Sequence, residues 1–178
     1  TDATAGEAFW AAEEDAAAKN WINANGGVDF STAPTSVTGG FAAGHNAKAS
    51  GSKAIAIGRS ATASNTNAIS IGENSDATKF SALAFGMNAQ ATGNSSIAFG
   101  HFSAASATSS LVFGNGNATG AASIAVGSGA VASSSNAIAV GEDLNVSADG
   151  IGMGRDKTVA YQSIGIGRGA GDISATKF

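Results

Sequence analysis

The stretch Ala54-Ile55-Ala56-Ile57-Gly58 decides the fold, because close copies of it recur along most of the chain. Each copy ends at what we call a landmark glycine, and successive landmark glycines are 14, 14, 14, 14, 14, 13, 14, 13 and 13 residues apart. A period held over ten copies predicts a repeat architecture with one structural unit per period. The landmark glycines are Gly44, Gly58, Gly72, Gly86, Gly100, Gly114, Gly127, Gly141, Gly154 and Gly167.

The residues before each landmark glycine alternate between large and small. Three positions before the glycine stands Phe, Ile or Leu in every copy, whereas two and four positions before it stands Ala, Ser or Gly, with Val112 as the exception. Period-two alternation predicts a short strand, called here the first strand. We expect its large side chains to line the interior of the chain's own fold and its small side chains to pack against other copies of the chain. The small residues expected at that interface are Ala54, Ala56, Ala68, Ser70, Ala82, Ala84, Ala98, Ala125 and Ala139.

A second alternation follows each landmark glycine. Small residues such as Ala61 and Ala63 stand three and five positions on, with polar residues between and beyond them. This pattern predicts a second strand, so each period forms one coil of a parallel solenoid with coils about 4.8 Å apart. The 13-residue coils each lose one turn residue, in the first turn after Gly114 and in the second turn after Gly141 and Gly154. Both strands therefore keep their register.

The repeat resembles the head of trimeric autotransporter adhesins, the YadA-like surface proteins of Gram-negative bacteria. The resemblance rests on the landmark motifs, such as Asn67-Ala68-Ile69-Ser70-Ile71-Gly72 and Asn136-Ala137-Ile138-Ala139-Val140-Gly141, and covers about residues 38–170. It implies an all-β, left-handed parallel β-roll, a homotrimer with the small-residue face toward the axis, and a secreted, surface-displayed adhesin. The sequence shows no signal peptide, coiled-coil stalk, neck motif or membrane anchor. We therefore expect a head segment that reaches the outer membrane through parts outside this sequence.

Three segments are expected along the chain. Residues 1–37 form an N-terminal cap, residues 38–170 form the repeat array, and residues 171–178 form an exit segment. Thr4 and Glu7 fit a capping box, and we predict a helix over roughly residues 5–23. Trp10 and Trp21 either pack onto the first coil as a cap or form an exposed tip, and the sequence leaves both interpretations open.

Composition excludes several classes of function. The 178 residues carry a net charge of −4 with no basic stripe, so we expect no nucleic-acid binding. No apolar run approaches the ~20 residues of a membrane helix, so we expect no membrane contact by this segment. The chain has no cysteine and therefore no disulfide framework. We expect no cofactor and no metal: His45 and His101 occupy one column but lie four coils apart. Arg59 with Glu73, and Glu142 with Arg155, stand one coil apart and predict ion pairs.

The leading hypothesis is a non-catalytic adhesin head that binds a host cell-surface or extracellular-matrix protein or glycan, or other bacteria. The ligand-binding residues expected on the outward side of the second strands are Lys48, Thr62, Asp76 and Gln90. One alternative is an ice-binding β-solenoid, which would show a ladder of paired threonines. The other is a solenoid carbohydrate-active enzyme, which would need longer coils and a charged cleft; the sequence shows neither feature.

Overall fold

A computed structural model describes residues 35–36, 39–147, 149–159 and 164–168, and within these residues every regular element is a β-strand. The strands form an all-β parallel solenoid of about nine turns, with coils of about 14 residues. The solenoid prediction is therefore confirmed. The helix expected over residues 5–23, with Trp10 and Trp21, lies outside the described residues. The left-handed winding that the resemblance implies stays a prediction.

Two short strands alternate through most of the array, as the two alternations predict. The first strands are β2 (Phe41–Ala43), β4 (Ile55–Ile57), β6 (Ile69–Ile71), β8 (Leu83–Phe85), β10 (Ile97–Phe99), β12 (Leu111–Phe113) and β14 (Ile124–Val126). The second strands are β1 (Thr35–Ser36), β3 (Lys48–Ala49), β5 (Thr62–Ala63), β7 (Asp76–Ala77), β9 (Gln90–Ala91), β11 (Ala104–Ala105), β13 (Asn117–Ala118) and β15 (Val131–Ala132). Both kinds then merge into the longer strands β16 (Ile138–Val146) and β17 (Ile151–Val159), and β18 (Ile164–Arg168) completes the described array.

Each strand pairs in parallel with its counterpart in the next coil. Ile55 pairs with Ile69, and Ala63 pairs with Ala77, so each column stacks like on like. Ala104 pairs with Asn117, 13 residues on, which places the residue missing after Gly114 in the first turn as predicted. Ala132 pairs with Val146, 14 residues on, whereas Ile138 pairs with Ile151, 13 residues on. The next missing residue therefore lies in the second turn, after Gly141. Strand register is conserved through each deletion.

The interior of the roll contains small side chains from both strands, which corrects the sequence-based assignment of the faces. The nine residues expected to face other chains are each at most 1% exposed within a single chain. They point into the roll, opposite the buried small residues of the second strands, such as Ala61 and Ala63. A side chain enclosed by its own coil cannot contact another chain, so the expected interface is wrong. These residues are Ala54, Ala56, Ala68, Ser70, Ala82, Ala84, Ala98, Ala125 and Ala139.

The stacked first strands and the stacked second strands form two sheets, which join in β16 and β17, and side-chain sizes inside the roll compensate between them. Leu144, Val146 and Val159 are buried on the second-strand side, where most coils carry alanine. The first strand opposite them has Gly152, and a methyl group there would lie 2.7 Å from Val146 Cγ2 and 3.0 Å from Leu144 Cδ2. The interior is therefore close-packed at this level of the roll.

The turns depend on residues with positive φ. Gly58 has φ of +127°, and a Cβ there would meet the carbonyl oxygen of Gly72 at 2.5 Å, so only glycine allows the coils to stack this closely. Two positions after each landmark glycine that precedes Gly114, the backbone again has positive φ, and the residue there is asparagine at Asn46, Asn74 and Asn88. Asparagine is one of the few side chains that tolerate this conformation.

Candidate functional site: the two outer faces of the roll

The first strands present their large apolar side chains outward. This surface, called here the first-strand face, consists of the residues one and three positions before each landmark glycine, except the buried Ala43. Phe99 is 38% exposed, Phe113 is 48% exposed and Ile166 is 61% exposed, while residues such as Ile69 and Ile97 are half-buried. Ten first-strand segments separated by nine steps of about 4.8 Å give the face a length of roughly 45 Å. A continuous apolar surface of this length typically marks an interaction site.

An aromatic ladder occupies the middle of the first-strand face. The Phe85 and Phe99 rings stack with centroids 4.7 Å apart and an angle of 2° between their planes. Phe99 and Phe113 continue the stack at 4.7 Å and 18°. The separation matches the spacing of neighbouring parallel strands, so strand pairing sets the stacking distance. The three rings form a flat, apolar strip that presents its edges outward.

The second strands present a mostly polar column on the opposite side of the roll, called here the second-strand face. The four predicted ligand-binding residues Lys48, Thr62, Asp76 and Gln90 are successive partners in this column. Lys48 and Gln90 are exposed, and Thr62 and Asp76 are half-buried. The structure thus brings the four residues together, while their role as a ligand site stays a prediction. The column continues through Ala104, Asn117, Val131 and Asn145.

Asp76 is the most perturbed charged group on the second-strand face. Burial raises the pKa of its carboxyl group above the ordinary value of 3.8. One carboxylate oxygen, Oδ1, is buried and has no hydrogen-bond partner among the described residues. A charged group in this setting loses hydration without gaining a partner, so the charged form is disfavoured.

Both predicted ion pairs are present in the turns. Arg59 pairs with Glu73, and Arg155 Nε lies 3.1 Å from Glu142 Oε2. All four side chains are more than one-third exposed, so each pair contributes at most about 1 kcal/mol. The pairs hold neighbouring turns together but do not form a reactive site.

The two histidines lie in exposed turns, and the structure does not bring them together. His45 Nδ1 lies 3.1 Å from Asn46 Nδ2, and the His101 ring packs at an angle against Phe102 with centroids 4.2 Å apart. Within the described part of the chain, no group of three or more His, Cys, Asp or Glu side chains could hold a metal ion.

A groove lies beside the short coil that follows Gly114. Its volume is about 290 Å³, and its walls come from the coil before, the short coil itself and the coil after. This groove was not predicted from the sequence, although the missing residue after Gly114 was visible there as a 13-residue spacing. The lining residues are Phe102, Ala104, Asn115, Gly116, Asn117, Gly129, Ala130 and Val131.

Comparison with known proteins identifies the repeat. A family model described as the YadA head domain repeat matches six overlapping or adjoining segments that together span residues 38–141, more than half of the chain. The chain belongs to the YadA head family. A search among curated proteins finds no match. The family resemblance from the landmark motifs is thereby confirmed.

YadA head domains are surface-exposed parts of autotransporters, and the family is one of non-enzymatic adhesins. For this YadA head, membership of the family indicates an adhesin-type surface function. The described residues include no helix long and apolar enough to cross a membrane.

Proposed function

We propose that the chain is the trimeric head of a bacterial surface adhesin in which the first-strand faces of three copies meet around one axis. The observation that supports this most strongly is the apolar first-strand face, which lies exposed in the single chain. Each coil encloses mainly small side chains, so one roll alone buries little apolar area for its length. Association through the first-strand face removes the remaining large apolar side chains from water.

The aromatic ladder is the proposed centre of the trimer. Phe85, Phe99 and Phe113 occupy three successive coils, so three parallel chains in register would bring their rings together at three levels. Buried aromatic side chains dominate the energetics of protein interfaces. The interface assigned to the small residues is thereby replaced by one built from the large residues of the same strands.

Sedimentation equilibrium tests the assembly. We expect a particle with three times the 17.1 kDa mass of one chain at micromolar concentration. A folded monomer at that concentration would contradict the proposal. Circular dichroism on the same samples separates a folded monomer from an unfolded chain.

The proposed adhesive role uses the opposite side of the roll. The second-strand face points away from the apolar face and offers charged, amide and hydroxyl groups in one column, among them Lys48, Thr62, Asp76 and Gln90. Three copies per head give multivalent attachment, so modest affinity per site suffices. The proposed partners are host-cell or extracellular-matrix proteins or glycans, or other bacteria. Display on the outer membrane would come through parts outside this sequence.

Attachment can be measured with beads coated with the trimer on cultured cells and on matrix-coated surfaces. The variant Lys48→Ala with Gln90→Ala removes two polar groups from the predicted site. Asn145→Ala with Thr158→Ala alters the same column at the other end and serves as the matched control. We expect the first pair to reduce attachment at least several-fold and the control pair to leave it unchanged. Equal attachment by both variants would contradict the assignment of these residues.

A further inference from the structure

The groove beside the short coil is a break in an otherwise regular edge of the roll. In the preceding coils, two residues separate the landmark glycine from the next inward residue, as His45 and Asn46 separate Gly44 from Ala47. After Gly114 only Asn115 stands before the buried Gly116. The residue that would occupy the left-handed region is the one that is missing.

Backbone hydrogen bonding shows the same break. In regular coils, the amide of the left-handed residue donates to the preceding coil: Asn88 N bonds Glu73 O at 2.9 Å and Phe102 N bonds Met87 O at 3.0 Å. The next bond in this series would end at the carbonyl oxygen of His101. Within the described part of the chain, no backbone amide donates there, and the series resumes with Gly129 N to Asn115 O at 2.7 Å. The shortened turn therefore leaves the carbonyl oxygen of His101 without a backbone donor among the described residues.

Phe102 forms one wall of the groove in an unusual conformation. Its φ is +55°, in a column that elsewhere holds Asn46, Ser60, Asn74 and Asn88. A bulky aromatic residue in the left-handed region is a genuine outlier, and such strain is concentrated at functional sites. The ring is 54% exposed and packs against His101 on one side. An apolar ring is thus held at the rim of the groove, where the four coils before it have asparagine or serine.

The other lining groups are uncharged. Asn117 pairs with Ala104 in the coil before and with Val131 in the coil after, so an amide lies between two apolar side chains. Asn115 supplies a second amide from the shortened turn. The lining contains no Asp, Glu, Lys, Arg or His side chain. The lining side chains offer a charged ligand no counter-charge, and the Asp143 carboxylate, which stands against the wall at Gly129, would repel an anion. A purely apolar ligand would leave the two amides without partners.

We propose that this groove binds one ring of an uncharged saccharide. The positively polarised C–H groups of a pyranose ring suit the negative face of the Phe102 ring. Its hydroxyl groups suit amide side chains, which donate and accept hydrogen bonds. The volume of about 290 Å³ lies just below the range of about 300–1,000 Å³ for drug-sized ligands, so the groove has room for no more than a single sugar ring.

The groove stays accessible in the proposed trimer. Ala104, Asn117 and Val131 belong to the second-strand face, which lies opposite the first-strand face assigned to the trimer axis. This inference rests on the proposed adhesive function and narrows its ligand to a glycan at one level of the head. Three equivalent grooves at one height would favour branched or clustered glycans through multivalency.

Saturation-transfer NMR on the whole chain tests the proposal with methyl glycosides of glucose, galactose, mannose and N-acetylglucosamine as probes. Phe102→Asn removes the ring and installs the residue common in that column, so the fold is retained. Insertion of one asparagine between Asn115 and Gly116 restores the 14-residue coil and closes the groove. Phe80→Thr is the matched control, since it removes another exposed phenylalanine and installs the residue found at Thr66 and Thr108.

We expect at least one glycoside to bind the parent chain and Phe80→Thr, with affinity at least tenfold lower in Phe102→Asn and in the insertion variant. Failure of every glycoside to bind the parent chain, or equal binding by Phe102→Asn, would overturn the proposal. A proline-rich peptide that binds in a Phe102-dependent manner when no glycoside does would assign the groove to protein ligands instead.

Bead attachment measured in parallel separates this inference from the general function. Trimer-coated beads that attach to cells while no glycoside binds would overturn the saccharide site and leave the adhesin proposal standing. Glycoside binding without bead attachment would leave the saccharide site standing and overturn the adhesin proposal. Thermal unfolding of each variant confirms that a lost signal reflects the groove rather than the fold.

Discussion

The two sheets of the roll share one alternation but present opposite chemistry to their surroundings. Both turn small side chains inward, such as Ala84 from a first strand and Ala91 from a second strand. Outward, the first strands carry Ile, Leu and Phe, whereas the second strands mostly carry polar residues. The small residues are inside because the sheets of a 14-residue coil lie close together. In this fold, small side chains fill the interior of the roll. The large apolar side chains form the outer face that is proposed to pack against other chains.

The largest expected effect comes from charging the first-strand face. Phe99→Asp would place three carboxylates around the axis of the proposed trimer, in the middle of the aromatic ladder. An uncompensated buried charge costs about 3–5 kcal/mol. We therefore expect loss of the trimer, measured by sedimentation at micromolar concentration. The Ala98 and Gly100 neighbours stay unchanged, so each coil keeps its interior and its turn.

Gln90→Asp is the matched change on the second-strand face. It also introduces one carboxylate per chain, at an exposed position in the adjacent strand β9. We expect the trimer to persist. If Gln90→Asp dissociated the trimer while Phe99→Asp did not, the assignment of the two outer faces would be reversed.

Much of the fold follows from the sequence because it depends on period and spacing. The coil length, both strands, their register, the positions of the missing residues and the two ion pairs were all predicted correctly. Period-two alternation, however, separates two faces without saying which one is inside. The large side chains were assigned to the interior and the small side chains to an interface between chains, and that assignment was wrong.

A signal for the correct assignment was present in the sequence. Where the small column of the first strands has the larger Val112, the second strand opposite has Gly116. Where the second strand has the larger Leu144 and Val146, the first strand opposite has Gly152. Reciprocal size changes indicate that the two small columns share one closed space.

The candidate site was predicted only in part. The column of Lys48, Thr62, Asp76 and Gln90 follows from register, and the structure confirms that these residues are neighbours. The groove at Phe102 depends on a turn conformation and on a hydrogen bond that is missing between coils. Neither follows from alternation, although a phenylalanine in an asparagine column was visible as an anomaly.

The next prediction concerns the interior directly. Ala84→Leu would add three carbon atoms to a closed space, so we expect the unfolding free energy to fall by about 3 kcal/mol or more per chain. Denaturant unfolding followed by circular dichroism measures this. Had Ala84 faced the trimer axis, the same change would dissociate the trimer and leave the roll itself intact. A folded Ala84→Leu monomer of undiminished stability would therefore contradict the corrected interior.

Gly152→Ala tests the size compensation between the two sheets with a smaller change. The added methyl group would meet Val146 Cγ2 at 2.7 Å and Val159 Cγ2 at 3.0 Å, so we expect a loss of about 1–3 kcal/mol. Val146→Ala removes one of these contacts. The double variant is expected to be more stable than the sum of the two single losses predicts, by about 1 kcal/mol. Strict additivity in this cycle would show that the two columns do not share one space.

The smallest expected effect is on the pH dependence of stability, and it comes from Asp76, which is half-buried on the second-strand face. Burial raises the pKa of Asp76 above 3.8, so between 3.8 and that raised pKa the folded chain binds more protons than the unfolded chain. Stability therefore falls as pH rises through this window, and at neutral pH the charged carboxylate costs stability. We expect Asp76→Asn to raise thermal stability slightly at neutral pH and to flatten its decline as pH rises from 3.8 through the raised pKa of Asp76. Asp149→Asn, at an exposed position, is the control and should change neither. A parent chain that gains stability through this window because of Asp76 would mean that a partner for its carboxylate exists in the trimer, which would extend the assembled interface to the second-strand face.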